Sequence, residues 1–334
     1  MTLSIIISRR GVCALIASAA LLFGGLEALA QTKLRIATVN PPANLSVQIA
    51  EEVGKRITAR TDGRLTFQVF PSAQLGTTTD SLEQASQGQP VIAFTSSSFM
   101  AQFGVPELAA VDGPFVVANN EEAERLAFAD LMQGYYDRLA EKAGIRVVAL
   151  NWFDGARHMI GKAPYPKPAD LKGVKMRVPP VETWLKTFEP MGVVATTVEA
   201  AEAYTALSQG VVTAAESPLT GIVDKKWYEP AKHITLTGHF NLFIGWVMSE
   251  KVLKSLSEGD QAILMEEFRK GGQELTAKSE ALQNKIRTDL EAQGVQFHEP
   301  DLAAYREVTS GFWTSFPNWP KGLYNQIRAA ATGQ

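Results

Sequence analysis

Short apolar runs of strand length alternate with amphipathic stretches of helix length through most of this sequence. Residues 34–39 and 65–70 have the composition of strands. The stretch between them carries apolar residues at every fourth position, on one face of a helix: Leu45, Ile49, Val53 and Ile57. Strand, helix and strand in this order are typical of parallel pairing in an open sheet covered by helices. The pattern therefore predicts an α/β fold.

The same alternation begins again in the middle of the chain, after a break near 152–155. Strand patterns follow at 174–178, 193–198 and 213–216, so we expect two α/β units and not one long sheet. We assign residues 31–153 with about 245–285 to a first lobe. Residues 154–244 with about 286–334 are assigned to a second lobe.

A long amphipathic stretch from Ser257 to about Gln293 begins with a capping-box variant and keeps one apolar stripe. A helix of ~35 residues spans roughly 50 Å, more than one small domain needs, so it could brace both lobes. The alternative is two helices broken at Gly271 and Gly272.

The first thirty residues have the three parts of a secretory signal peptide. Arg9 and Arg10 precede an apolar segment, and Ala28-Leu29-Ala30 forms a small-x-small cleavage site before Gln31. An uncleaved membrane anchor is the alternative, but the segment is short for a span. We therefore predict cleavage and a periplasmic location. The only cysteine, Cys13, lies in this segment, so the mature chain would have no disulfide and no thiolate site.

The sequence has no recognisable motif for catalysis, for a metal or for a cofactor. The four histidines lack metal-ligand spacing, and there is no nucleophile elbow, P-loop or dinucleotide fingerprint. A formal net charge of −3 and the lack of a basic cluster give no reason to expect a nucleic-acid partner. We predict that the protein is not an enzyme and holds no cofactor or metal. An extracytoplasmic enzyme that acts on a carboxylated compound stays open as an alternative.

Two arginines are candidates for binding an anion. Arg177 lies within the strand pattern at 174–178, near the carboxyl end where open α/β sheets bind their ligands. A guanidinium can hold a carboxylate through two parallel hydrogen bonds. Arg157 begins another short run just after the predicted lobe boundary. The alternatives are an internal salt bridge for Arg177 and a surface position at a hinge for Arg157.

Five ordered blocks of the sequence are similar to a known family. They read FPSAQLG at 70–76, GARH at 155–158, DLKGVKMRVP at 170–179, EAYTALSQGVV at 202–212 and SLSEGDQ at 255–261. The chain resembles the DctP-type solute-binding proteins of TRAP transporters, the tripartite ATP-independent periplasmic systems. The resemblance implies a two-lobed periplasmic solute-binding fold with a long helix that bridges both lobes. It also implies closure on one ligand, usually a small organic carboxylate.

Site residues follow from the same resemblance. Arg177 matches the family's main carboxylate clamp, Arg157 matches an arginine that often lines the site, and Ser217 replaces a frequent asparagine contact. Further candidates stand at strand ends, in the second lobe and on a crossing segment: Asn40, Ser96, Trp184 and Asn241. Asn40 could be only a turn residue, and Trp184 only lobe core. If Ala200 stands where relatives carry an aromatic residue, then Trp184, Trp152 and Phe153 could supply aromatic surface instead.

The partners implied are the small carboxylate and the membrane permease subunits of a TRAP transporter, with the receptor acting as a monomer. The sequence does not identify the carboxylate. It also leaves open a sensor that reports its ligand to a membrane kinase, because both roles need the same closing receptor.

Overall fold

The computed structural model describes residues 31–334. The predicted signal peptide lies outside the described residues. The strands of the described part are β1 (Thr32–Ala37), β2 (Leu65–Phe70), β3 (Val91–Ser96), β4 (Ile145–Ala149), β5 (Arg157–Gly161), β6 (Lys175–Val178), β7 (Val194–Thr197), β8 (Ala214–Pro218), β9 (His233–Phe240), β10 (Ile244–Ser249) and β11 (Gln296–His298).

The α-helices of the same part are α1 (Leu45–Arg60), α2 (Thr78–Ser86), α3 (Ser97–Ala101), α4 (Asn120–Ala127), α5 (Asp130–Ala143), α6 (Glu182–Phe188), α7 (Ala203–Ser208), α8 (Leu219–Asp224), α9 (Glu250–Lys254), α10 (Glu258–Ala292), α11 (Leu302–Val308) and α12 (Leu323–Thr332). Short 3₁₀ helices cover Pro106–Asp112, Pro168–Leu171, Glu189–Met191 and Ser310–Thr314.

The strands form two sheets, one in each lobe. The first-lobe order is β2-β1-β3-β10-β4, and the second-lobe order is β11-β9-β5-β8-β6-β7. Pairing is parallel among β1, β2 and β3, whereas β10 is antiparallel to β3 and β4, and β5 is antiparallel to β8 and β9. The two-lobed α/β prediction is confirmed, but the sheets are mixed and not purely parallel.

The antiparallel strands are those that carry the chain from one lobe into the other. The chain crosses at 150–156, between β4 and β5, and again at 241–243, between β9 and β10. A strand that enters a lobe begins at the cleft between the lobes. It therefore runs opposite to strands whose carboxyl ends lie at that cleft, and the alternation of strands and helices gave no sign of this.

The C-terminal segment returns to the first lobe. Phe312, Trp319, Leu323 and Ile327 join the buried cluster that packs beneath β3 and β4, and α12 lies against α4. This differs from the predicted division, which gave all of 286–334 to the second lobe. An amphipathic helix shows that one face is buried but not which lobe buries it.

Helix α10 is a single helix of 35 residues whose N-cap Ser257 accepts a hydrogen bond from the backbone of Asp260. Leu264, Phe268 and Leu275 pack in a first-lobe core, and Leu290 packs in a second-lobe core. The predicted bridge between the lobes is therefore confirmed. None of the helices in residues 31–334 combines the length and the apolar character that a membrane span requires.

Gly271 and Gly272 allow close packing and do not break α10. A Cβ atom at Gly271 would lie 2.7 Å from the Trp152 ring and from Val53 of α1. One at Gly272 would lie 2.7 Å from the carbonyl oxygen of Asn151. The same crossing segment is bonded to the helix, because Trp152 Nε1 donates to the carbonyl of Phe268 at 2.8 Å. The glycines thus let the long helix touch the chain where it leaves the first lobe.

Replacing Gly272 with alanine should destabilise the protein, although alanine favours a helix by about 1 kcal/mol over glycine. We expect a net loss of about 1–3 kcal/mol because the methyl group would overlap backbone atoms of Asn151. Urea unfolding measures this loss. Gly134→Ala is the matched control, because Gly134 lies inside α5 with open space at its Cβ position, and it should be neutral or stabilising. Equal urea midpoints for the two variants would contradict the explanation that Gly272 is required for close packing against Asn151.

Candidate ligand-binding site

A cavity of about 150 Å³ lies between the lobes, at the ends of strands from both sheets. Asn40 and Ser96 line it from the first lobe, and Arg177 and Ser217 line it from the second. These residues follow or end β1, β3, β6 and β8. The carboxyl edges of the two sheets therefore face each other, as the rule for open α/β sheets predicts.

Arg177 is buried in the cavity wall without an ion partner in residues 31–334. Its side chain is bonded through Nε, which donates to the carbonyl of Val198 at 2.8 Å. The residue is 4% exposed. Burial lowers the pKa of Arg177 to about 10, against the opposing charge of Glu216 and with the repulsion of Arg157. The guanidinium is thus still charged at neutral pH, and its two terminal nitrogens have no acceptor in the described chain.

Arg157 also lines the cavity, but an internal acid occupies most of its guanidinium. Nε and one terminal nitrogen donate to the two carboxylate oxygens of Glu216, at 2.5 and 2.7 Å. The same nitrogen reaches the backbone carbonyl of Glu216 at 3.0 Å. Arg157 is therefore neither a surface residue nor a free cation. Its other terminal nitrogen is the part without an acceptor in the described chain.

Glu216 is fully buried and holds three elements in place. Besides the bonds from Arg157 on β5, it accepts a hydrogen bond of 2.8 Å from Trp184 Nε1 on α6. Burial alone would raise its pKa, but the charge and hydrogen bonds of Arg157 and His239 hold the pKa of Glu216 well below its usual range. The carboxylate is therefore ionised, and it neutralises Arg157 instead of Arg177.

Of the other predicted site residues, four line the cavity and one does not. Asn40, Ser96, Ser217 and Trp184 all line the cavity, whereas Asn241 is not among its lining residues and its neighbour Leu242 is. Asn40 Nδ2 donates to Ser46 Oγ at 3.3 Å. Ser96 Oγ is buried without a hydrogen-bond partner in the described chain. Trp184 is both cavity wall and lobe core, with 2% of its surface exposed.

Trp152 and Phe153 do not supply aromatic surface to the cavity. Both are buried in first-lobe cores, because the crossing segment packs there before it reaches the second lobe. Trp227 supplies aromatic surface to the cavity, which Ala200 also lines. The Arg177 guanidinium lies 5.9 Å from the centre of the Trp227 ring.

Side-chain hydrogen bonds join the lobes beside the cavity. Asn44, the N-cap of α1, donates through Nδ2 to Asp224 at the end of α8, over 2.5 Å. The hydroxyls of Ser98 on α3 and Thr183 on α6 lie 3.0 Å apart. The lobes are therefore in contact beside the cavity.

Comparison with known proteins identifies the family. The sequence profile of the DctP family, described as bacterial extracellular solute-binding protein, family 7, matches residues 36–318. The chain belongs to the DctP family. A solute-binding protein of Verminephrobacter eiseniae is 32% identical over 311 residues, which cover 91% of this chain and 90% of the relative.

Solved structures of TRAP periplasmic solute-binding proteins have the same fold. One from Fusobacterium nucleatum, with bound sn-glycerol-3-phosphate, is 31% identical with a TM-score of 0.86 and covers 90% of this chain and 97% of its own. One from Actinobacillus succinogenes, with bound L-galactonate, is 27% identical with a TM-score of 0.87 and covers 91% and 100%. DctP proteins are periplasmic substrate-binding components of transport, so this chain is a solute-binding receptor and not an enzyme.

Metal ligands do not cluster in the part of this DctP protein that the structure describes. Residues 31–334 contain no group of three or more His, Cys, Asp or Glu side chains placed to hold an ion. The polar groups of the cavity wall are suited to an organic guest with oxygen atoms.

Sequence reasoning missed Lys225 and Trp227, which line the cavity of this DctP protein. Both follow α8, beyond Ser217, the residue of this region that the family resemblance had indicated. One signal was available. Gly221 and Lys225 are four residues apart, which is the spacing of one helical turn, so the lysine side chain can lie over the glycine.

Replacing Glu216 with glutamine should destabilise the protein by about 3–5 kcal/mol, because it leaves a buried guanidinium without a counter-charge. Because the pKa of Glu216 is lowered in the folded protein, its ionised form stabilises the fold at pH values above the ordinary carboxyl pKa of 4.5. That contribution is lost as the pH falls through the lower folded-state pKa. Urea unfolding at pH 7 and at acid pH measures the free energy of unfolding of both proteins. The difference between wild type and variant should be smaller at acid pH.

Glu189→Gln is the control for Glu216→Gln, because Glu189 is exposed and pairs with Lys186 at the surface. We expect its free energy of unfolding to change by less than about 1 kcal/mol. If Glu216→Gln were as mild as this control, Glu216 would not be compensating Arg157.

Proposed function

We propose that this protein is a periplasmic receptor that captures a small organic carboxylate between two closing lobes and delivers it to the membrane permease of a TRAP transporter. The observation that carries the proposal is the Arg177 guanidinium, buried in the cavity wall with no carboxylate of the described chain bound to it. We also propose that the receptor acts as a monomer and reaches the periplasm by cleavage of residues 1–30.

A carboxylate fits Arg177 for physical reasons. A buried charge without a partner is costly, and an anion that enters the cavity supplies the missing counter-charge. The guanidinium presents two parallel N–H groups to the two oxygens of a carboxylate. Two similar proteins are reported with bound L-galactonate and sn-glycerol-3-phosphate, and each of these ligands carries an anionic group and hydroxyls.

Closure follows from where the polar groups lie. Arg177 and Ser217 belong to the second lobe, whereas Asn40 and Ser96 belong to the first. A ligand on Arg177 gains the first-lobe contacts only when the lobes meet, so it favours the closed form by the difference in affinity. The hydrogen bond from Asn44 to Asp224 is likewise made only when the lobes are together.

Arg177→Lys should weaken binding of the carboxylate by about 2–5 kcal/mol, because an ammonium cannot reproduce the two parallel hydrogen bonds. A thermal-shift screen of wild type against organic acids, including L-galactonate, first identifies a bound acid. A ligand at a hundredfold its dissociation constant adds about 2.7 kcal/mol of stability. Calorimetry then compares the variants.

Arg287→Lys is the matched control, since Arg287 lies on the exposed face of α10 in a pair with Glu291. It should bind the acid as wild type does. An Arg177→Lys variant that binds as tightly as this control would contradict the assignment of Arg177 as the carboxylate clamp.

Export of the full chain in a Gram-negative host should yield a periplasmic protein that begins at Gln31. Ala28→Leu should block cleavage and retain the precursor at the membrane, because the cleavage site requires a small residue there. Leu29→Ile, at the tolerant middle position, is the control. Intact-mass measurement of the periplasmic fraction shows whether residues 1–30 have been removed. A periplasmic protein that retained them would contradict the proposal.

A further inference from the structure

Lys225 is a second cavity cation whose charge has no ion partner in residues 31–334. It lines the same cavity as Arg177. Its ammonium makes no hydrogen bond within the described chain, and no carboxylate of that chain lies within ion-pair distance. Its Nζ atom lies 5.9 Å from the centre of the Trp227 ring, as does the Arg177 guanidinium. Trp227 is therefore an aromatic surface shared by both cations.

The Lys225 ammonium lies close to Gly221 of α8. A Cβ atom at Gly221 would lie 3.4 Å from Lys225 Nζ and 2.5 Å from Ser217 Oγ. Lys225 directly follows α8, and its side chain points back along that helix over Gly221, toward Ser217 near the carboxyl end of β8. The ammonium thus lies beside Ser217 in the cavity wall and not in bulk solvent.

Lys225 also marks where the cavity continues. A second cavity of about 230 Å³ adjoins the first and is lined by Tyr204 and Asp224. Val39, Ala200, Lys225 and Trp227 line both cavities. A ligand with one end on Arg177 and a chain of several atoms can therefore present its other end to Lys225.

We propose that Lys225 is a specificity-determining residue of this site, whose ammonium binds a second anionic group of the ligand while Arg177 binds its carboxylate. This inference rests on the proposed function, since it needs a carboxylate on Arg177. It assigns this receptor a preference for acids with an anionic group at each end.

Of the three cations that line the cavity, Arg177 and Lys225 are available to bind anionic groups of a ligand, and Arg157 is not. The guanidinium of Arg157 is already neutralised by Glu216. Arg177 and Lys225 form no ion pair in residues 31–334, so a ligand with two anionic groups can bind both, whereas a ligand with one leaves one of them without a bound anion. The ion pair that is not formed discriminates against the ligand with one anionic group.

The acids nearest to Lys225 are engaged elsewhere. Asp224 accepts the hydrogen bond from Asn44, and Asp154 accepts one from Ser279 at 3.1 Å. Burial lowers the pKa of Lys225 to about 8; the charges of Asp154 and Asp224 oppose this shift, and those of Arg157 and Arg177 add to it. The amine is therefore mostly protonated at neutral pH. Glu199 lines the cavity and forms no ion pair in the described chain, so it is free to accept ligand hydroxyls.

Matched acids that differ by one anionic group test the inference. Galactonate is compared with galactarate, which has the same carbon chain and a second terminal carboxylate, and glycerate is compared with 3-phosphoglycerate. Thermal shift and calorimetry at pH 7 measure binding to wild type, Lys225→Met and Lys226→Met. Lys226 is the adjacent, exposed lysine and lines neither cavity, so its variant controls for loss of one positive charge.

We expect wild type and Lys226→Met to bind the doubly anionic member of a pair roughly tenfold or more tightly than the singly anionic one. Lys225→Met should lose this preference and keep its affinity for the singly anionic acid. The unliganded Lys225→Met protein should melt at or above the wild-type temperature, because the ammonium makes no hydrogen bond in the described chain. That melt shows that the variant is folded.

Several results would overturn the inference. Wild type could bind the singly anionic acids equally well or better, or Lys225→Met could retain the preference. In both cases a carboxylate still binds and depends on Arg177, so the proposed function stands and only the role of Lys225 is lost. If no acid of the wider panel stabilised wild type, the proposed function would fail and the role of Lys225 with it.

Discussion

Glu216 decides which arginine of the cleft is available to a guest. Two guanidiniums lie at the wall of one small cavity, and one buried carboxylate binds Arg157 at two points. Arg157 begins β5 and Glu216 lies on the adjacent β8, so the sheet itself brings them together. Arg177, one strand further along, keeps its charge without a partner in the described chain. In the proposed function, the carboxylate of the ligand offsets the desolvation of Arg177.

The scaffold keeps that geometry by fixing the chain where it crosses between lobes. Trp152 is bonded to the carbonyl of Phe268, and Asn151 Nδ2 donates to the carbonyl of Arg269 at 3.1 Å. Both contacts tie the first crossing to α10, which continues into the second lobe. The closure that we propose would then be a rotation about short crossing segments, with the sheet edges moving as rigid bodies. Side chains that line a cavity from rigid strand ends are held more precisely than side chains on loops.

Much of this arrangement could be predicted from the sequence, and the failures have physical causes. Alternating strand and helix patterns gave two α/β lobes, and the family motifs placed Arg177 at a strand end that faces the cavity. The partner of Arg157 could not be predicted, because a salt bridge between β5 and β8 depends on strand order. Asn241 was placed by its crossing segment, but the chain presents Leu242 to the cavity instead. Lys225 was missed because a lysine after a short helix is usually solvated, whereas this one points back over Gly221 into the cavity wall.

Ligand binding and lobe contact share one hydrogen-bonded chain. Asn40 lines the cavity and donates to Ser46, whose hydroxyl donates to Asn44, which in turn donates to Asp224 of the other lobe. Asp224 directly precedes Lys225 and also lines the outer cavity. In the proposed function, a ligand that binds Asn40 in one lobe and Lys225 in the other contacts residues on both sides of the Asn44–Asp224 hydrogen bond, so its binding favours the closed lobes.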